Sequence, residues 1–318
     1  MVANRKANEI YITRTYDAPV AVVWDAWTDP QQVSQWWGPR GFTLTHHSKE
    51  LRPGGIWHYT MHGPDGVDYP NKTLYHEVEE HRKLVYDHGG NDEQAPLFRV
   101  TVLFSEVDGQ TLMEMTMALP TAEEAEATRK FIKQAGGNAT WDRLAEYLRA
   151  TQAGETCFVI NRTFEVPRDV MFRMWTDPTS LTAWQPPTGF TMEIVSGGIR
   201  PGEDLFFRMS NQDGMSFHGR FRYQEIESPC RLVYLQEFCD AAGNLSRHPG
   251  LPEFPATLKT TVLLADEAEN WTRVTVVSEL VGPTEAAEID AFVNERSGMT
   301  QGWTGSFDKL EIGLSRRL

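Results

Sequence analysis

The sequence repeats itself. Shifted by 148 positions, Trp27-Thr28-Asp29-Pro30 falls on Trp175-Thr176-Asp177-Pro178, Gly41-Phe42-Thr43 on Gly189-Phe190-Thr191, and Arg52-Pro53-Gly54 on Arg200-Pro201-Gly202. Leu84-Val85-Tyr86 falls on Leu232-Val233-Tyr234, after which the register moves to 160 and Thr101-Val102-Leu103 meets Thr261-Val262-Leu263. The second copy therefore carries a 12-residue insertion, rich in Gly and Pro, between Asp240 and Pro255. A period near 150 residues is too long for a solenoid, whose repeats run to about 20–45 residues. The chain of 318 residues is a duplicated globular domain, expected to divide into 1–152 and 153–318 with a linker at Thr151–Glu155. Each copy is long enough to bury about 70% of its unfolded surface.

Within each copy the same order of elements is legible. Ile10–Tyr16 is rich in strand formers and ends at Asp17-Ala18-Pro19, where proline suits the first turn of a helix. Val20–Trp27 reads as that helix, and Asp29-Pro30 restarts a second short one toward Trp37. Six strands are expected next, near Phe42–Glu50, Ile56–His62, Lys72–Glu80, Lys83–His88, Phe98–Glu106 and Thr111–Leu119. Pro53-Gly54-Gly55, Pro64-Asp65-Gly66 and Asp108-Gly109 supply the turns between them. One long helix, Thr121–Arg149, closes the copy, with Thr121 and Glu124 spaced as a capping box. In the second copy Trp303, Phe307, Leu310 and Leu314 mark one face of the equivalent helix. A sheet crossed by one long helix is an α+β architecture, and a pocket is expected between the two.

Composition excludes several classes of function. The net charge is −14 and both halves are acidic, whereas nonspecific binding to nucleic acid is carried by Lys and Arg. No stretch reaches the roughly 18 apolar residues of a membrane span, and Met1–Glu9 lacks the apolar run of a secretion signal. Three cysteines, all between Cys157 and Cys239, make neither a disulfide framework nor a zinc ribbon. A soluble cytoplasmic protein without nucleic-acid or membrane partners is expected. The internal duplication would serve as an intramolecular domain pair in a monomer.

Chemistry-bearing residues are unevenly shared. Seven of the nine histidines lie in the first copy, at positions 46, 47, 58, 62, 76, 81 and 88. His46 and His47 are neighbours on a strand and point to opposite faces. His58 and His62 share a face but stand roughly 13 Å apart, too far for one metal ion. No metal is expected. His88 follows Leu84 and Tyr86 at period two, so all three face one way; with Leu84 inward, His88 approaches the pocket. Histidine titrates near neutrality, which makes His88, with Tyr59 and Tyr86, the catalytic candidates. Trp57, Tyr59 and Met61 alternate on one strand and Met113, Met115 and Met117 on another, the pattern of a core wall that is also a pocket wall. The expected ligand contacts are Trp57, Tyr59, Met61, Tyr86, His88, Met113, Met115 and Phe131 in the first copy. In the second they are Phe207, Met209, Tyr234, Gln236 and Trp303. Gly136-Gly137 interrupts the first long helix and is matched by Gly298 and Gly302; small residues there make room for a ligand or for close packing against the sheet. No serine nucleophile elbow, phosphate loop or dinucleotide fingerprint is present, so no cofactor is expected.

Trp27-Thr28-Asp29-Pro30, Trp36-Trp37-Gly38-Pro39, Gly41-Phe42, Arg52-Pro53-Gly54-Gly55 and Trp57, in that order, resemble the AHSA1-like branch of the START/Bet v1-like (SRPBCC) superfamily. The second copy departs from this pattern: Gln185-Pro186 stands for Trp37-Gly38, Glu203 for Gly55 and Leu205 for Trp57. The resemblance implies two helix-grip domains, each an antiparallel sheet curved around a long C-terminal helix with a cavity for an apolar ligand. Members of the superfamily include lipid carriers, polyketide aromatase/cyclases, some as tandem domains, and enediyne self-resistance proteins. The co-chaperone that named the branch uses a separate N-terminal domain with no counterpart in this sequence, so that role is not expected. The resemblance implies binding of a hydrophobic small molecule, such as a polyketide or polyene intermediate. The alternatives are an aromatase/cyclase, a self-sacrificing resistance protein and a protein-interaction module.

Overall fold

The computed structural model describes residues 6–91, 93–134, 139–154, 157–268 and 270–315. The chain forms two compact units, Met1–Arg149 and Ala150–Leu318. The first contains β1(Glu9–Tyr16), α1(Val20–Thr28), α2(Pro30–Trp36), β2(Thr43–Lys49), β3(Ile56–His62), β4(Asp68–Glu79), β5(Lys83–Gly90), β6(Phe98–Val107), β7(Gln110–Ala118), α3(Ala122–Gln134) and α4(Ala139–Ala153). Its seven strands form one antiparallel sheet in the order β1-β7-β6-β5-β4-β3-β2. The second unit contains β8(Cys157–Phe164), α5(Arg168–Thr176), α6(Pro178–Trp184), β9(Phe190–Gly197), β10(Asp204–Asn211), β11(Ser216–Glu227), β12(Arg231–Cys239), β13(Thr257–Ala268), β14(Trp271–Leu280), α7(Ala286–Asn294) and α8(Arg296–Ser315). Its sheet has the corresponding order, β8-β14-β13-β12-β11-β10-β9. Both units are helix-grip folds.

Local chemistry explains the shared start of each copy. Asp29 accepts hydrogen bonds from the Gln31 and Gln32 amides at 2.9 Å, and Pro30 occupies the first turn of α2, so the chain must leave α1 and begin again. Asp177 does the same for α6 through the Ser180 amide at 2.8 Å. Trp36 then donates its indole N–H to the Ala26 carbonyl at 3.0 Å, and Trp184 donates to Met174 at 2.8 Å, which clamps each pair of short helices together. Strand β1 alternates, with Ile10, Ile12 and Tyr16 buried on the face that meets the helices. A Cβ at Gly55 would overlap the Glu50 carbonyl oxygen. Where the second copy has Glu203 instead, the close approach moves to Gly197, at φ +88°, whose Cβ would overlap Asp204.

The closing helix differs from the single helix expected. In the first unit it is present as α3 and α4, and residues 135–138, which include Gly136-Gly137, lie outside the described residues. The capping box is formed: the Thr121 amide donates to Glu124 at 3.0 Å and the Glu124 amide to the Thr121 hydroxyl at 3.1 Å. In the second unit the helix is interrupted at Glu295, the C-cap of α7, before α8 begins. The expected linker also starts later, because Thr151–Ala153 form the last turn of α4.

The insertion of the second copy is tied down. Within it, Cys239 bridges to Leu245 and His248 to Leu251. Arg247 donates to the Pro252 and Phe254 carbonyls at 3.2 Å and to Glu288 of α7 at 2.8 Å. Phe254 is buried beside Phe238 and Phe292, so the insertion contributes to the core. Each core lies between one face of its sheet and the helices that cross it.

Candidate functional site

The second unit holds a partly open cavity of about 330 Å³, within the usual range of small-molecule sites. The sheet supplies Phe207 and Met209 from β10, Phe217 and Phe221 from β11, and Gln236 and Phe238 from β12. The insertion supplies His248, Leu251 and Phe254. From the helix, Glu295, Gly298, Met299, Gly302, Trp303 and Ser306 recur every three or four residues and so share one face. Glycine opens that face, since a Cβ at Gly302 would meet no atom within 4 Å. Gly219, opposite, lets the chain approach Phe207, whose ring would lie 2.5 Å from a Cβ there.

The cavity exists because three large side chains of the first copy are small or polar in the second. Gln185 follows Trp184 as Trp37 follows Trp36. Ser278 pairs with Phe158 as Met117 pairs with Ile10. Ser306 stands three residues beyond Trp303, which stacks on Trp175 at 6.0 Å; Leu144 stands three beyond Trp141, which stacks on Trp27 at 5.3 Å. In the first unit this volume is occupied. The rings of Trp27, Trp36, Trp57, His88 and Trp141 all lie within 6.1 Å of the Trp37 ring, and Leu144 is fully buried. Replacing Trp, Met and Leu by Gln, Ser and Ser removes packing atoms that the backbone does not close over.

Of the residues expected to meet a ligand, Phe207, Met209, Gln236 and Trp303 line the cavity, as do Gly298 and Gly302. Tyr234 lies beneath the wall, its ring 4.8 Å from Phe221 and 5.5 Å from Tyr223, and burial raises its hydroxyl pKa well above the ordinary value. The first-copy set is packed core. Trp57 stacks on Tyr59 at 4.0 Å, Tyr86 contacts Tyr75, and Met113 and Met115 are buried. Met61 is half-buried against the same core, and the Phe131 side chain lies outside the described residues.

His88 does face inward, half-buried between Trp37 and Phe98, with the Tyr59 hydroxyl 3.5 Å from its Nδ1. Burial holds its pKa at about 4, so the imidazole is neutral at pH 7. Burial also raises the Tyr59 and Tyr86 hydroxyls above their ordinary range, which keeps both protonated. The three candidate groups therefore form a neutral cluster enclosed by aromatic rings. Three of the other first-copy histidines have close local partners: His46 accepts from Trp57 at 3.2 Å, His62 meets Asp68 at 2.6 Å and His76 meets Asp87 at 2.7 Å. Among the described residues no group of three or more His, Cys, Asp or Glu side chains is placed to hold a metal ion, and no helix is long and apolar enough to cross a membrane.

Sequence reasoning passed over several groups that the structure brings forward. Lys49 lies over the Trp57 ring at 4.4 Å and donates to the Trp27 carbonyl at 3.1 Å, and burial lowers its pKa to about 7 against the opposing pull of Asp29. The insertion was legible only as extra length, yet it forms one wall of the cavity. Gln185 was visible as a departure from the first-copy pattern, and with Gly298 and Gly302 it signalled a changed interior.

A family model described as Activator of Hsp90 ATPase homolog 1-like protein matches residues 17–149 and again 165–314. No curated protein sequence matches the chain. Among solved structures, a protein from Nitrosomonas europaea is similar over 47% of this chain and 99% of its own, at 20% identity and a TM-score of 0.43. A protein from Staphylococcus epidermidis covers 48% of this chain and 95% of its own, at 25% identity and a TM-score of 0.42. The di-domain ARO/CYC BexL from the BE-7585A biosynthetic pathway covers 95% of this chain and 97% of its own, at 12% identity and a TM-score of 0.40. With both units matched by one family model and both folded as helix grips, the chain belongs to the Activator of Hsp90 ATPase homolog 1-like family, as two copies in one polypeptide.

Proposed function

We propose that the second unit binds one hydrophobic small molecule in its cavity, a flat or extended metabolite of the polyketide or polyene type. The observation that carries this reading is the interior volume opened where Trp37, Met117 and Leu144 of the first copy are replaced by Gln185, Ser278 and Ser306. Phenylalanine and tryptophan faces suit stacking against a ring system, and Met209 and Met299 adapt to an irregular outline. The hydrophobic gain scales with the apolar area covered, roughly 25 cal/mol per Å². A cyclase reading centred on His88, Tyr59 and Tyr86 is less well supported, since these groups pack among aromatic rings and burial keeps the imidazole neutral at pH 7.

Titration of the full-length protein with the neutral fluorophore 1-aminoanthracene tests this. One equivalent should bind with a blue-shifted emission, and Gly302→Leu, which places a side chain in the cavity, should weaken binding at least tenfold. Unchanged affinity in that variant, or no saturable binding by the wild type, overturns the reading. Native mass spectrometry of protein from its own source, followed by denaturing extraction, then identifies a co-purified metabolite.

A further inference from the structure

One residue of the cavity lining has a buried polar atom that the protein itself does not satisfy. Gln185 is 8% exposed, lines the cavity, and its side-chain carbonyl oxygen is buried without a hydrogen-bond partner among the described residues. A buried acceptor in that condition destabilises the fold, and such groups are rare in folded proteins unless a ligand or water completes them. The residue is held rigidly by other means. Its amide N–H donates to the Leu181 carbonyl at 2.9 Å, and its own carbonyl accepts from the Ser306 hydroxyl at 2.7 Å. These bonds fix the backbone of Gln185, while its side-chain oxygen is left without a partner among the described residues. Gln236 and Ser278 bring further neutral polar side chains to the same cavity.

Charge on the lining is one-sided. Among the described residues no Lys or Arg side chain lines the cavity, while Glu237 and Glu295 do. Glu237 is neutralised from outside by Arg220 and Arg222, so neither of those guanidinium groups is left over for a ligand anion. The one basic group in the wall, His248, has its pKa lowered by burial, with Glu295 opposing that shift. An anionic headgroup carried into the apolar part of this space would lose water and, among the described residues, meet no Lys or Arg in return, which is unfavourable.

We propose that Gln185, with Gln236 and Ser278, is the hydrogen-bonding anchor for an uncharged ligand that carries a hydroxyl on an apolar ring system, and that the cavity rejects carboxylate ligands such as fatty acids. This inference rests on the cavity being a ligand site. A Gln side chain offers both an acceptor and a donor, so it pairs with a phenolic hydroxyl, which is also both. Gln185 takes the place of Trp37 in the sequence of the second copy, and its role is to distinguish ligands of similar shape by their polar edge.

Three probes of one shape separate the possibilities: naphthalene, 2-naphthol and 2-naphthoate, titrated into the full-length protein at pH 7 by calorimetry. Naphthol should bind about tenfold more tightly than naphthalene, the worth of one neutral hydrogen bond. Naphthoate should bind at least tenfold more weakly than naphthol. Gln185→Met, close in length but without the amide, should bring naphthol down to the affinity of naphthalene and leave naphthalene unchanged. It should also melt at or above the wild-type temperature, because it removes an unsatisfied buried acceptor. If Gln185→Met fails to melt cooperatively, Gln236→Leu carries the same comparison from strand β12, where a smaller loss of naphthol affinity is expected. Naphthoate binding as tightly as naphthol, or a naphthol-to-naphthalene ratio indifferent to both variants, overturns the proposal while leaving the cavity a ligand site. Failure of naphthalene itself to bind overturns both.

Discussion

Two equivalent strand positions, His88 in β5 and Gln236 in β12, show how the surroundings decide what a residue can do. His88 packs between the Trp37 and Phe98 rings, so its charged form is penalised and its pKa falls from 6.5 to about 4. Between those two values the unfolded chain binds a proton that the folded chain does not. Stability therefore falls as pH drops from 6.5 toward 4. His88→Gln, which installs the residue of the second copy, should flatten this part of the stability curve. Urea denaturation of both proteins at pH 7 and pH 5 measures it, and an equal loss for wild type and variant would remove His88 from the account. The inward orientation of His88 was legible from the period of two. Its lowered pKa was not, because the rings beside it come from Trp37, just after α2, and from β3 and β6.

At the level of elements, α8 shows how a helix can give up stability to create space. Its cavity face carries Gly298 and Gly302, and glycine in a helix interior costs about 1 kcal/mol relative to alanine. Because a Cβ at Gly302 meets open space, Gly302→Ala should stabilise the second unit by about 1 kcal/mol in chemical denaturation. A destabilised Gly302→Ala protein would mean that the space seen there is closed in solution. Strand limits, the Asp29 and Asp177 caps and the Thr121 capping box could be read from the sequence because each depends on residues a few positions apart. The packing of the insertion could not, since it depends on Arg247 reaching Glu288 and on Phe254 meeting Phe292.

For the whole molecule, the two copies use one fold in two ways. In the first unit, tryptophans and Leu144 fill the space between sheet and helices; in the second, the equivalent space is a cavity. Substitutions should therefore act with opposite signs. Leu144→Ala should cost about 2–5 kcal/mol by opening a hole in a full core. Ser278→Met, which restores the first-copy residue, should hold or raise the melting temperature and abolish probe binding. Thermal melts of both variants check the pair, and a destabilising Ser278→Met would show that the second interior has no room for the side chain.

The sequence by itself determined the duplication, the α+β helix-grip architecture of each copy, the caps and turns that begin its elements, and which strand faces point inward. The duplication is a self-match of the sequence and the helix grip is what its family resemblance implies, while the caps, turns and strand faces are local or periodic, carried by residues within one or two turns of each other or by the alternation of a strand. Only the tertiary structure decided which copy holds the cavity. That volume is the small difference between the space enclosed by α6, β10–β14, α8 and the insertion and the side chains that project into it. No single segment encodes the difference, so it exists only once those segments are packed together.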